Sequence, residues 1–186
     1  MQKNRLFSFV LVAVIVGGLA GLTGCATPAT KEAMTARGIP GVQQHRKSVA
    51  VSTQGGNETG ALESSNISNG EFAKAIEESI IQNKLFTQVI QGQGGADYLL
   101  NVAIVNMSKP SFGVSFTVSM EGAWTLTQAS TKKVVMRESI RSSATATIGQ
   151  AFVGVERLRL AVEGAARENI RLGLTAISKL HLEHRE

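Results

Sequence analysis

Cysteine occurs once in this chain, tryptophan once and tyrosine once, and only three prolines are spread over its 186 residues. With a single cysteine no disulfide can close within the chain, so the fold must be held by packing rather than by a covalent framework. Past residue 25 no apolar run reaches the roughly 20 residues that a helix needs to cross a bilayer core. Charge of one sign is also scarce: 19 basic side chains face 14 acidic ones, for a formal net charge of +5. No long basic run and no interleaving of aromatic with basic residues is present, which argues against a nucleic-acid partner. Catalytic signatures are missing as well. There is no Gly-x-Ser-x-Gly elbow, and the glycine-rich stretch Gly55 to Gly60 lacks the Lys-Ser/Thr pair of a phosphate-binding loop. His181 and His184 stand close together near the end, short of the three or four protein ligands that zinc takes. The reading is a protein without catalytic residues, metal or cofactor.

What is present begins at the amino terminus. Lys3 and Arg5 form a basic start, Leu6 to Leu19 an apolar stretch, and small residues precede Cys25, which is the plan of a secretory signal. Gly17, Gly18 and Gly21 break the stretch and leave it short for a membrane span. Leu22-Thr23-Gly24-Cys25 is a lipobox, and the segment resembles the precursors of bacterial lipoproteins. That resemblance implies cleavage before Cys25 and covalent lipid on Cys25. Ala26, where an Asp would favour retention in the inner membrane, implies the outer membrane and its periplasmic face. Loss of residues 1–24 removes two bases and no acid, so the mature charge falls to 17 against 14, or +3.

The chain then divides into a signal over 1–24, an acylated Cys25 with a flexible tether over 25–46, and one domain over 47–186. Pro28, Gly38, Pro40 and Gly41, without periodicity, make 25–46 read as a random-coil tether of about 25 Å span that lets the domain stand off the membrane. Lys47 to Thr53 reads as a first strand. Ser68 and Glu71 have the spacing of a capping box and Ile67 and Phe72 that of a hydrophobic staple, so a helix is expected over about 69–83, with Asn83 as its left-handed stop. Leu85 to Ile90 leads into a second strand, and Tyr98 to Met107, apolar on both faces, reads as a strand central in the sheet. Val114, Phe116, Val118, Met120, Trp124 and Leu126 alternate with Ser115, Thr117, Ser119, Glu121, Thr125 and Thr127, giving a strand with one core face and one wet face. After a turn near Ala129, Val134 to Thr147 pairs back, with Arg137, Ser139, Arg141 and Ser143 on one face. Val155 to Leu180 is a long helix with Leu158, Val162, Ala165, Ala166, Ile170, Ile177 and Leu180 along one side. The expected class is α+β: a mainly antiparallel sheet of about five strands with two helices on one face, in the order βαββββα.

That order, together with a helix ending in Leu85-Phe86 and a strand opened by Ala96-Asp97-Tyr98-Leu99, resembles small envelope lipoproteins of the LptE, LpoB and CsgG types. The run Arg157 to Ile170 is similar to the last helix of an outer-membrane lipoprotein family. The resemblance implies a non-catalytic assembly or accessory factor that binds an envelope protein or glycolipid. Its alternatives are lipopolysaccharide handling in the LptE manner and activation of a peptidoglycan synthase in the LpoB manner. A rival from another class, an envelope hydrolase or transferase, would need a concave site with convergent acid, base or nucleophile, which these residues do not assemble. Two charged groups are the candidate partner-binding positions. One is Arg159, Glu163 and Arg167, an i, i+4, i+8 ladder on the last helix; the other is Arg137 and Arg141 on the polar sheet face.

Overall fold

The computed structural model describes residues 27–57, 66–92 and 94–182. The signal, Leu22, Thr23, Gly24, Cys25 and His184 lie outside the described residues. The architecture is α+β, a five-stranded mixed sheet with three helices. In chain order these are α1 (Lys31–Met34), β1 (His45–Gln54), α2 (Asn69–Gln82), β2 (Phe86–Val89), β3 (Tyr98–Ser108), β4 (Ser115–Gln128), β5 (Val134–Thr147) and α3 (Gly154–Ser178).

The sheet runs β2-β1-β3-β4-β5. β1 is parallel to both of its neighbours, β2 and β3, whereas β3–β4 and β4–β5 are antiparallel. The antiparallel expectation holds for the long hairpins only. Parallel strands need a crossover, and α2 supplies it between β1 and β2. β3 is central, but it is not apolar on both sides: Tyr98, Leu100 and Val102 are buried, while Leu99, Asn101 and Ala103 on the opposite face are half-buried and Val105 is exposed. A bulge between Ile104 and Asn106 places Val105 out of register.

Both long helices cover one face of the sheet. α2 starts where the capping residues direct it: the Ser68 side chain accepts from the Glu71 amide at 3.2 Å, and Ile67 and Phe72 are both buried. The left-handed residue after it is Lys84, at φ 53, rather than Asn83. Asn83 is occupied otherwise, as its amide holds the segment before β1.

α3 packs along β4 and β5 through a polar knot set within the core. The Trp124 indole N–H donates to Asn169 Oδ1 at 2.9 Å, and Asn169 Nδ2 donates to the Ile140 carbonyl at 2.8 Å and reaches Ser142 Oγ at 3.2 Å. Ser142 Oγ in turn donates to the Ala165 carbonyl at 2.8 Å. Trp124 and Asn169 are both fully buried, so each polar atom needs its partner. Glycine makes the approach possible. A Cβ at Gly122 would stand 2.6 Å from Asn169 Oδ1, and one at Gly173 2.5 Å from the Trp124 ring.

The expected flexible tether over 25–46 is overturned for its described part, 27–46. Ala29, Met34, Ala36 and Ile39 are buried in the same core as α2 and α3. The backbone is tied down at intervals: the Ala36 amide donates to Ser79 Oγ at 2.9 Å and the Ile39 amide to Asn83 Oδ1 at 2.8 Å, while Asn83 Nδ2 donates to the Ala36 carbonyl at 2.8 Å. Gly38 and Gly41 serve as left-handed turns at φ 63 and 69 within a packed strap. Four apolar side chains spaced irregularly carry no periodic signal, yet they suit a groove between two helices. β1 consequently starts at His45, whose buried Nε2 lies 2.9 Å from the Ile177 carbonyl and whose ring meets Phe86 with centroids 5.3 Å apart.

Candidate functional site

The ladder on α3 faces this strap. Glu163 is buried and accepts the Thr30 amide at 3.1 Å, while Arg159 Nη1 donates to it at 3.2 Å and the same guanidinium pairs with Glu156. Burial pushes the Glu163 carboxyl above its ordinary value, against the pull of the Thr30 amide and Arg159. Arg167 Nη1 donates to the Ala33 carbonyl at 2.8 Å. Glu163 and Arg167 thus hold a partner that belongs to the same chain, the segment just after the lipobox, while Arg159 pairs with Glu156 and Glu163 on its own helix. Glu71 reinforces the clamp from α2. Its Oε2 accepts the Lys31 amide at 3.1 Å and its Oε1 accepts from Lys74, with Lys74 holding its carboxyl below the ordinary value. The expected capping box is therefore only half closed, because Glu71 turns toward the strap.

The other pair stands on open surface. Across β4 and β5, Arg141 is in register with Glu121 and Arg137 with Thr125. Glu121 accepts from Ser139 Oγ at 2.5 Å and from Arg141 Nε at 3.2 Å, and these two donors lower its pKa. Thr117 and Thr145 join hydroxyls at 2.8 Å. Arg137 is exposed with no ion pair or hydrogen bond among the described residues. A depression of about 620 Å3 lies between Asn106, Ser119, Glu121, Arg141 and Ser143 of the strands and Glu168 and Leu172 of α3. Glu121, which the alternation placed on the wet face without marking it out, is the charge that holds Arg141; only the register between the two reveals that role.

Glycine in the loop after β1 has a packing reason. Gly55 has φ 79, and a Cβ there would come within 2.2 Å of the Ile104 carbonyl. Among the described residues no group of three or more His, Cys, Asp and Glu could hold a metal ion, and no helix is long and apolar enough to cross a membrane.

No family model matches the chain, and no curated protein matches it. Solved structures do resemble its fold. Protein XCC0632 from Xanthomonas campestris, a DUF330 protein, is 12% identical with a TM-score of 0.59, over 77% of this chain and 91% of its own. The hypothetical protein CT253 from Chlamydia trachomatis is 9% identical with a TM-score of 0.51, over 72% of this chain and 96% of its own. At such identities the likeness is one of fold alone, and the chain shares the α+β architecture of these two proteins.

Proposed function

We propose that this chain is a lipoprotein anchored through Cys25 to the periplasmic face of the outer membrane, whose domain acts without catalysis as an assembly or accessory factor. The observation that carries the reading is the lipobox Leu22-Thr23-Gly24-Cys25 set four residues before the first buried side chain of the domain, Ala29. A signal of that plan routes the chain to secretion and is removed from the mature protein, which leaves Cys25 at its amino terminus. The open sheet face is the surface left for an envelope component, because Glu163 and Arg167 are engaged with the strap and Arg159 with Glu156 and Glu163. Arg137 and Arg141 among hydroxyls suit an anionic group, as found on a glycolipid or an acidic protein surface.

The test has two arms. Radiolabelled palmitate should enter the wild type and be absent from Cys25→Ala, and persistent labelling of the variant would overturn the anchor. A photo-crosslinker placed at Thr125, beside Arg137, should capture an envelope component in cells, and Arg137→Gln with Arg141→Gln should abolish that capture without lowering the melting temperature. Unchanged capture would move the recognition surface elsewhere.

A further inference from the structure

The end of the domain where β4 starts and β5 ends carries large apolar side chains in the open. Phe112 is 88% exposed and Phe152 84%, and Val114, Ile148, Val153 and Val155 are exposed around them. All but Val155, in the first turn of α3, come from two loops, 109–114 and 148–153, that are brought together by the pairing of Ser115 with Thr147 and by Arg157. The Arg157 guanidinium is buried beneath the loops. Its Nη1 donates to the carbonyls of Ala151 at 3.0 Å and Phe152 at 2.5 Å, its Nη2 reaches the Gly113 carbonyl at 3.4 Å, and it lies 5.3 Å from the centre of the Phe116 ring. Arg157 and Phe116 occupy the interior side, so the two phenylalanines stay at the surface. An apolar cluster of this size on an otherwise polar surface marks a contact site.

The strap shows what the contact is. It runs alongside α3 from low to high numbers, Thr30 at Glu163 and Ala33 at Arg167, and β1 then begins at His45 beside Ile177. Going backwards, the chain heads toward the amino-terminal end of α3, which is the end bearing the exposed loops. The Ala29 amide bonds to the Asn66 carbonyl, and Asn66 Oδ1 accepts from Lys109 of the first loop at 2.5 Å. From the Glu163 level to Gly154 is about 14 Å of helix at the usual rise. The five steps from Thr30 to Cys25 reach at most about 17 Å.

We infer that the tip formed by loops 109–114 and 148–153 sits in the membrane surface beside the lipid of Cys25, with Phe112 and Phe152 as interfacial anchors. This rests on the lipoprotein reading above, and it inverts the expectation of a domain held off the membrane. No acidic residue occurs in 109–115 or 147–155, so the tip offers no charge that would repel an anionic leaflet. A second membrane contact adds to the acyl chains and, unlike them, fixes the orientation of the domain. The open sheet face would then stand roughly perpendicular to the bilayer, because β4 leaves the tip and β5 returns to it along the same axis.

The experiment uses the full chain, purified as the acylated protein and reconstituted into vesicles of phosphatidylethanolamine and phosphatidylglycerol. An environment-sensitive NBD label is placed through Phe152→Cys, and a control label through Thr131→Cys in the turn at the opposite end. The acylated thiol of Cys25 cannot take the label, and the mass of the amino-terminal peptide reports its acylation in the same sample. The label at position 152 should shift to the blue on reconstitution and lose most of its emission to spin-labelled phospholipid, whereas the label at 131 should do neither. Emission at 152 unchanged from buffer, in a chain whose Cys25 is acylated, overturns the tip and leaves the anchor standing. A blue shift that depends on protein concentration and resists spin-labelled lipid means that a second copy covers the tip, which also overturns it. An amino-terminal peptide without lipid overturns anchor and tip together. Phe112→Ser with Phe152→Ser checks that the melting temperature does not depend on these exposed rings.

Discussion

Asn169→Ala should be the most damaging conservative change in the domain. Among the described residues Asn169 is the sole partner of the Trp124 indole N–H, at 2.9 Å, and neither residue is accessible to solvent. Truncation leaves that donor unpaired, at a cost of about 1–3 kcal/mol. It also removes the bond to the Ile140 carbonyl at 2.8 Å and opens a small void under the helix. A total of about 3 kcal/mol is expected, a large share of the roughly 5–15 kcal/mol that stabilises a domain. Ser142 keeps its bond to the Ala165 carbonyl, so the loss should not spread along the whole interface. Urea unfolding followed by far-ultraviolet circular dichroism measures the change, and because Trp124 is the one tryptophan its emission reports the knot directly. Trp124→Phe deletes the donor from the other side. Since the two residues share the bond, the double variant should cost less than the sum of the singles by about 1–2 kcal/mol. A loss below about 1 kcal/mol in Asn169→Ala, or strict additivity in the double variant, would show that the indole finds another partner and refute the reasoning.

Gly173→Ala tests the same contact by steric means, since its Cβ would fall 2.5 Å from the Trp124 ring; a loss of about 1–3 kcal/mol is expected, and a neutral result would mean that α3 can shift along the sheet. Glu163 tests the strap through pH. Burial raises its carboxyl above the ordinary 4.5, so the folded state binds this proton more tightly than the unfolded one, and the ionised form costs stability as pH rises through that range. Glu163→Gln should therefore gain on the wild type between pH 4 and pH 7 in urea midpoints. A wild type that gains on the variant over the same interval would show that Arg159 and the Thr30 amide outweigh burial.

Local patterns were legible because local physics produces them. The alternation specifies which face of β4 is core from Phe116 to Leu126, and Trp124 is indeed buried in line with Phe116, Val118 and Met120, whereas Val114, expected on the same face, precedes the strand and is exposed. Ser68 and Ile67 announce the start of α2, since a cap satisfies amides only a few residues away. The class, the number of strands and the long last helix follow from such periods. What depended on distant partners was hidden. Ladder direction is set by how the chain crosses over, so the parallel position of β1 between β2 and β3 left no mark in the β-prone run Lys47 to Thr53. Pro28, Gly38 and Pro40 look like a linker in isolation, and only the groove between α2 and α3 turns Ala29, Met34, Ala36 and Ile39 into core. Arg159, Glu163 and Arg167 share a helix face by spacing alone, but whether that face meets solvent, a partner or the chain's own strap is decided by tertiary contact. The same holds for Phe112 and Phe152, forty residues apart in sequence and joined at one tip because Arg157 binds the carbonyls of both loops. Side-chain period reads out over one turn or two strand residues, whereas burial is a property of whatever the rest of the molecule places opposite.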